Sequence, residues 1–169
     1  TVNVSNPDSY TWSSSDIANF QVRAVRLDND ERDAYFMLTS TAGGVLPLLT
    51  SSVFKDVYDE TRWNISVRVK PSTGPWMDSV LGSNRTYDVE FAGYSTVLDS
   101  LDNSFKLTGS ISNAQGSSFL SAGKRVFVGS HKSNFTGSTL QRSDAKISSA
   151  RFWYSYLDDK TLLAHSRDP

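Results

Sequence analysis

Alternation of apolar and polar side chains is the dominant signal along this chain. In "RWNISVRVK" (Arg62 to Lys70), Trp63, Ile65, Val67 and Val69 alternate with Asn64, Ser66, Arg68 and Lys70. A two-residue period places the first set on one face of a strand and the second in solvent, and Pro71 ends the run because proline cannot donate to a ladder. The same rule predicts strands in "FQVRAVRL" (Phe20 to Leu27) and "AYFMLTS" (Ala34 to Ser40), joined by the polar hairpin loop "DNDERD". "TYDVEFAGY" (Thr86 to Tyr94) alternates Tyr87, Val89 and Phe91 against Asp88, Glu90 and Ala92. Shorter strands are expected in "SFKLTGSIS" (Ser104 to Ser112), "SSFLSA" (Ser117 to Ala122) and "RVFVGS" (Arg125 to Ser130), and a closing one in "AKISSARFWYSYL" (Ala145 to Leu157).

One segment alone reads as a helix, the short "DDKTLLAHS". Asp158 suits its N-cap, Asp159 the positive end of its dipole and His165 the negative end. Many short strands separated by loops rich in Gly, Ser, Asn and Asp point to an antiparallel sandwich or barrel. No linker, heptad or tandem repeat interrupts the pattern, so the 169 residues are expected to form one domain. The closing strand carries Phe152, Tyr154 and Tyr156 on one face and Arg151, Trp153 and Ser155 on the other. Large side chains on both faces predict a central, packed strand. The competing reading is an exposed platform on which sugar rings stack.

Charge and composition narrow the partners. The formal net charge is −1 and the basic residues are scattered singly, so no long-range field draws in nucleic acid or anionic lipid. There is no cysteine, which removes disulfides, thiol catalysis and Cys-type zinc sites. No stretch approaches the length of an apolar membrane span, and "TVNVSNPDSY" lacks the order of a signal peptide. The chain begins without Met and stops at Asp168-Pro169, and is expected to be a segment excised from a larger polypeptide.

From Tyr58 onward, "TRWNISVRVKP", "TYDVEFAGY", "SFKLTGSIS", "KRVFVGSHKSNFTG" and "AKISSARFWYSYLDDKTLLAHSRDP" resemble laminin-G-like, concanavalin-A-like jelly-roll modules. The most telling part is a "VFVGS" strand, a glycine-containing loop, then "I-x-x-x-R-x-W" and a short "L-D-D-x-x-L-x-x-H" helix. The resemblance covers roughly two-thirds of the chain, and Thr1 to Asp56 fit it only by strand count. The wording is also similar to modules repeated in virion-associated proteins of tailed phages. The resemblance implies an all-β, antiparallel two-sheet jelly-roll β-sandwich with a short C-terminal helix. It implies a non-catalytic module displayed on a virion or extracellular surface protein for recognition or assembly.

Candidate chemistry is sparse. Glycoside hydrolysis needs a carboxyl pair about 5 to 9 Å apart, but Glu31, Glu60 and Glu90 are distant in sequence and no E-x-D-x-x-E run is present. Serine catalysis needs a base and an orienting acid, and neither His131 nor His165 accompanies a G-x-S-x-G element. Laminin-G-like modules often hold calcium at the sandwich rim. The densest oxygen source here is the loop bearing Asp28, Asp30 and Asp33, whose competing reading is a solvated hairpin tip. Trp76 and Met77 in "PSTGPWMDSV", with His131 in "GSHKSN", are the candidate ligand contacts. The expected function is glycan or surface-ligand recognition. Packing within a parent assembly is the alternative, and glycan cleavage comes third.

Overall fold

The computed structural model describes all residues except 1–19, 29–30, 41–44, 60, 75–83, 123–125, 133–138, 143–144 and 168–169; of 131–132 and 139–141 it describes the backbone alone. Its described elements are strands β1 (Phe20–Arg26), β2 (Ala34–Ser40), β3 (Leu49–Phe54), β4 (Trp63–Pro71), β5 (Thr86–Val97) and β6 (Ser100–Ser112), helix α1 (Asn113–Ser121), strands β7 (Ser130–Lys132) and β8 (Thr139–Arg142), and helix α2 (Asp159–Arg167). Strands β1-β2-β3 form one antiparallel sheet, β4-β5-β6 a second, and β7-β8 a small ribbon. The protein is therefore mostly β, in a sandwich-like arrangement with two short helices. Each three-stranded sheet is a meander of consecutive strands.

The alternation in β4 does what its period predicts on the core side. Trp63, Ile65, Val67 and Val69 pack against a buried cluster that includes Phe36 and Leu38 of β2, Val89 and Phe91 of β5, and Ile111 of β6. The sheets meet through aromatic rings. Phe36 lies 4.7 Å from Trp63 and 5.4 Å from Phe105, and Phe54 lies 4.8 Å from Trp63. Each fully buried Phe or Leu contributes about 1.5–3 kcal/mol, so this layer dominates the favourable energy.

Strand β3 was not expected from the sequence because "LTSSVF" carries a serine on its core side. The β2–β3 register shifts between Tyr35 and Met37, a bulge that takes the Phe36 N–H out of the regular ladder. The hydroxyl of buried Ser51 accepts that N–H at 2.9 Å.

Three expectations are corrected. "SSFLSA" is not a strand but lies largely in α1. Ser112 and Gln115 form a capping box there: the Ser112 hydroxyl accepts the Gln115 N–H at 3.3 Å, and the Gln115 side chain accepts the Ser112 N–H at 3.1 Å. Of "RVFVGS", Arg125 lies outside the described residues, and among the rest only Ser130 enters a strand, β7. "AKISSARFWYSYL" joins no described sheet and bends at Tyr154 and Ser155, and Phe152, Trp153, Tyr154 and Tyr156 are exposed. Its C-terminal end is drawn over the outer face of the second sheet instead, by the polar groups described next.

Candidate functional site

The outer face of β4-β5-β6 carries the even-numbered residues, and it was expected to be solvated. Its centre, at Arg68, Glu90 and Ala92, is buried instead, while Ser104, Lys106, Thr108 and Ser110 of β6 stay exposed, so the expectation that Arg68 faces solvent is corrected. The side chains of Arg68 and Glu90 are 6% and 5% exposed. Arg68 stands directly opposite Glu90 across β4 and β5, the arrangement in which opposite charges on a sheet help each other most. Lys70 is diagonal to Glu90 from β4, and Lys106 is diagonal to it from β6, where it pairs with Ala92.

Helix α2 supplies the second acid. Asp158 caps it as expected, its carboxylate accepting the Thr161 N–H at 2.7 Å. That bond, together with the Thr161 hydroxyl, holds the Asp158 carboxyl below its ordinary range. Leu162 and Ser166, four apart and so on one helix face, are its buried residues. With α2 seated this way, Asp159 lies over the sheet. Arg68 Nη2 reaches Asp159 Oδ1 at 2.5 Å and Glu90 Oε2 at 2.9 Å, so one guanidinium nitrogen bridges the two carboxylates. Lys106 Nζ lies 2.8 Å from Asp159 Oδ2 and 3.5 Å from Glu90 Oε1, and Lys70 Nζ lies 3.2 Å from Glu90 Oε1.

The chain entering α2 is tied to the same cluster. The Tyr156 hydroxyl donates to Glu90 Oε2 at 2.8 Å, and Arg68 Nη1 donates to the Leu157 carbonyl at 2.8 Å. The Arg68 and Lys70 cations lie 5.1 and 4.7 Å from the centre of the Tyr156 ring, within cation–π range. Farther back, the Trp153 ring lies 5.4 Å from His165, and Arg151 Nη1 donates to His165 Nδ1 at 3.4 Å.

The electrostatics follow from this crowding. Burial alone would push Glu90 up, but the Tyr156 hydroxyl, Lys70 and Arg68 outweigh it and hold the carboxyl below its ordinary range. Asp159 is held low by Lys106 and then Arg68. Burial works against Lys70, yet Glu90 and Tyr156 raise it. Asp159 raises Lys106 against a smaller burial penalty. Burial, and then the Asp159 charge, raise the neighbouring Tyr94 phenol.

Above the cluster lies an exposed aromatic run. Phe152 is 68% exposed, Trp153 46% and Tyr154 fully exposed. Side chains so exposed gain only a fraction of the roughly 1.5–3 kcal/mol that burial of a large apolar group provides. Polar contacts, rather than packing, therefore define where residues 151–157 sit.

Trp76, Met77 and Asp30 lie outside the described residues, and of His131 the backbone alone is described, in β7. Asp28 is exposed in the β1–β2 loop, where its carbonyl accepts the Glu31 N–H at 3.3 Å. Asp33 Oδ1 accepts the Asp56 N–H at 3.0 Å, which steadies a turn whose Asp56 sits at φ 55°. Among the described residues no group of three His, Asp or Glu side chains is placed to hold a metal ion. No helix among them is long and apolar enough to cross a membrane. No family model, curated protein or solved structure matches the chain.

Proposed function

We propose that this β-sandwich is a non-catalytic recognition module of a larger virion or extracellular surface protein, and that it binds glycan on the Phe152–Tyr154 run. The observation that carries this reading is the exposure of three adjacent aromatics on a segment fixed at its far end to the sheet. Aromatic rings with one apolar face and a polar tip suit surfaces that are partly wet. Phe152 and Tyr154 are both exposed and Trp153 stands between them in the chain, so a polysaccharide has more than one ring on which to stack. Recognition on this run needs only the sandwich and not jelly-roll connectivity, which would make neighbours of strands distant in sequence.

The electrostatics favour binding over cleavage. A glycosidase keeps one carboxyl of its pair protonated near neutral pH. Glu90 and Asp159 are close enough to share a guanidinium nitrogen, but both are held ionised. Affinity electrophoresis through gels containing a panel of polysaccharides, with calcium and with a chelator, tests the reading. Retardation is expected for the wild type and is lost in Trp153→Ala/Tyr154→Ala. Retardation lost instead in Trp76→Ala moves the site to the rim loop. No retardation on any polysaccharide refutes glycan recognition.

Val126, Val128 and Ile147 are also exposed, and Ile147 approaches Gly129, so these segments present apolar surface together. That observation favours a second reading, an assembly face toward the parent protein. Sedimentation of the isolated chain showing reversible self-association, abolished by Val128→Asp, supports it.

A further inference from the structure

We infer that Glu90 and Arg68 are positioning residues for the aromatic run: the ionic cluster on the outer face of the second sheet sets the direction in which Phe152, Trp153 and Tyr154 are presented. This rests on the reading of that run as the ligand surface. The run has two mounts. One is Tyr156 and Leu157, held by the Glu90 carboxylate and the Arg68 guanidinium. The other is Trp153, set against the His165 ring of α2. The second mount depends on the first cluster too, because α2 is tied to the sheet through Asp159, which Arg68 and Lys106 bind. Trp153 lies three residues from Tyr156, at most about 10 Å of chain, a span short enough for the anchor to fix its direction.

A purely stabilising role explains the cluster less well. Buried ion pairs are poor sources of stability compared with apolar side chains of the same volume, whereas they specify geometry well. Here the charged groups of the cluster each serve more than one partner. Arg68 binds Glu90, Asp159 and the Leu157 carbonyl, Lys106 binds both acids, and Glu90 gathers the two lysines, the arginine and Tyr156. Sheet, helix and incoming chain therefore meet at the Arg68 guanidinium, with Glu90 holding Tyr156 beside it, and a change there is felt at the aromatic run rather than only in the fold.

Tyr156→Phe and Glu90→Gln test this. Tyr156→Phe removes one hydroxyl from a half-exposed side chain and leaves the acids with all three cations, so it leaves the fold intact even where Glu90→Gln fails to fold. The readout is the Trp153 indole N–H resonance, assigned by its loss in Trp153→Phe. In Tyr156→Phe it should move toward the free indole position while the other three tryptophan signals stay in place. Affinity for a polysaccharide bound by the wild type should fall about tenfold or more. An indole signal that does not move, or an affinity that is kept although the signal moves, overturns the positioning role. Should the wild type bind no polysaccharide, the glycan reading fails, and the indole shift alone decides whether Glu90 positions the run.

Discussion

Removing the arginine at the centre of the outer face isolates what the buried charges contribute. In Arg68→Met, Glu90 keeps Lys70 at 3.2 Å and Lys106 at 3.5 Å, but loses the one cation that is as deeply buried as itself. Breaking a buried pair costs about 3–5 kcal/mol, and the remaining lysines place this case near the lower end, about 3 kcal/mol. For a domain of this length that lowers the melting temperature by about 6–12 °C. Glu90→Leu should cost a similar amount, because it leaves Arg68, Lys70 and Lys106 around Asp159 alone. The double variant Arg68→Met/Glu90→Leu removes both members of the innermost pair and fills their volume with apolar groups. It should therefore be no less stable than either single variant, a coupling of at least about 3 kcal/mol. Urea and thermal unfolding followed by circular dichroism measure the cycle. Additive single effects, with a coupling under about 0.5 kcal/mol, refute the description of Arg68 and Glu90 as a mutually dependent buried pair.

Acid should weaken the same face. Glu90 and Asp159 both titrate lower when folded than when unfolded, so the unfolded chain binds more protons. Their contribution is full above about pH 5 and is lost as pH falls through the ordinary carboxylate range near 4 and below. Melting temperatures measured from pH 7 down to 3 should fall less steeply in Asp159→Asn than in the wild type, and parallel slopes contradict this. A different part of the fold is probed by Gly116→Ala in α1, whose new methyl group meets Cγ and Cδ2 of the buried Tyr87 ring. Overpacking should cost about 1–3 kcal/mol and outweigh the roughly 1 kcal/mol that alanine gains over glycine in a helix. A raised unfolding midpoint refutes the close packing of α1 on β5.

The sequence and the structure agree where the polarity pattern has one cause. Strands β2, β4, β5 and β6 were legible because each presents apolar residues to the core at every second position, and no other force competes there; β1 shares the alternation, but of its Phe20, Val22 and Ala24 only Phe20 packs against the core. The cap at Asp158 was legible because an acidic pair before "KTLLAH" has few other uses. The pattern misleads where a short polar residue does structural work. Ser51 hides β3 by facing inward to satisfy a bulge, and Ser112 turns "SSFLSA" into a helix through a capping box whose Gln115 partner is easily passed over.

The outer face of the second sheet failed for a more general reason. A two-residue period says which side chains share a face, but not whether that face meets water. The deciding signal lay inside β5, where Glu90 is embedded in "VEFAGY" between residues too apolar and too small for a solvated strand. Ala92, its neighbour on the outer face, is fully buried. A charged residue beside alanine on one face of a central strand implies a cover, and a cover over a carboxylate implies cations and a hydroxyl to receive it. Arg68 opposite, Lys70 and Lys106 on the diagonals and Tyr156 above meet that requirement. Once the closing segment spends Tyr156 and Leu157 on this face rather than on a ladder, its other aromatics have no sheet to enter, and Phe152, Trp153 and Tyr154 are left facing solvent.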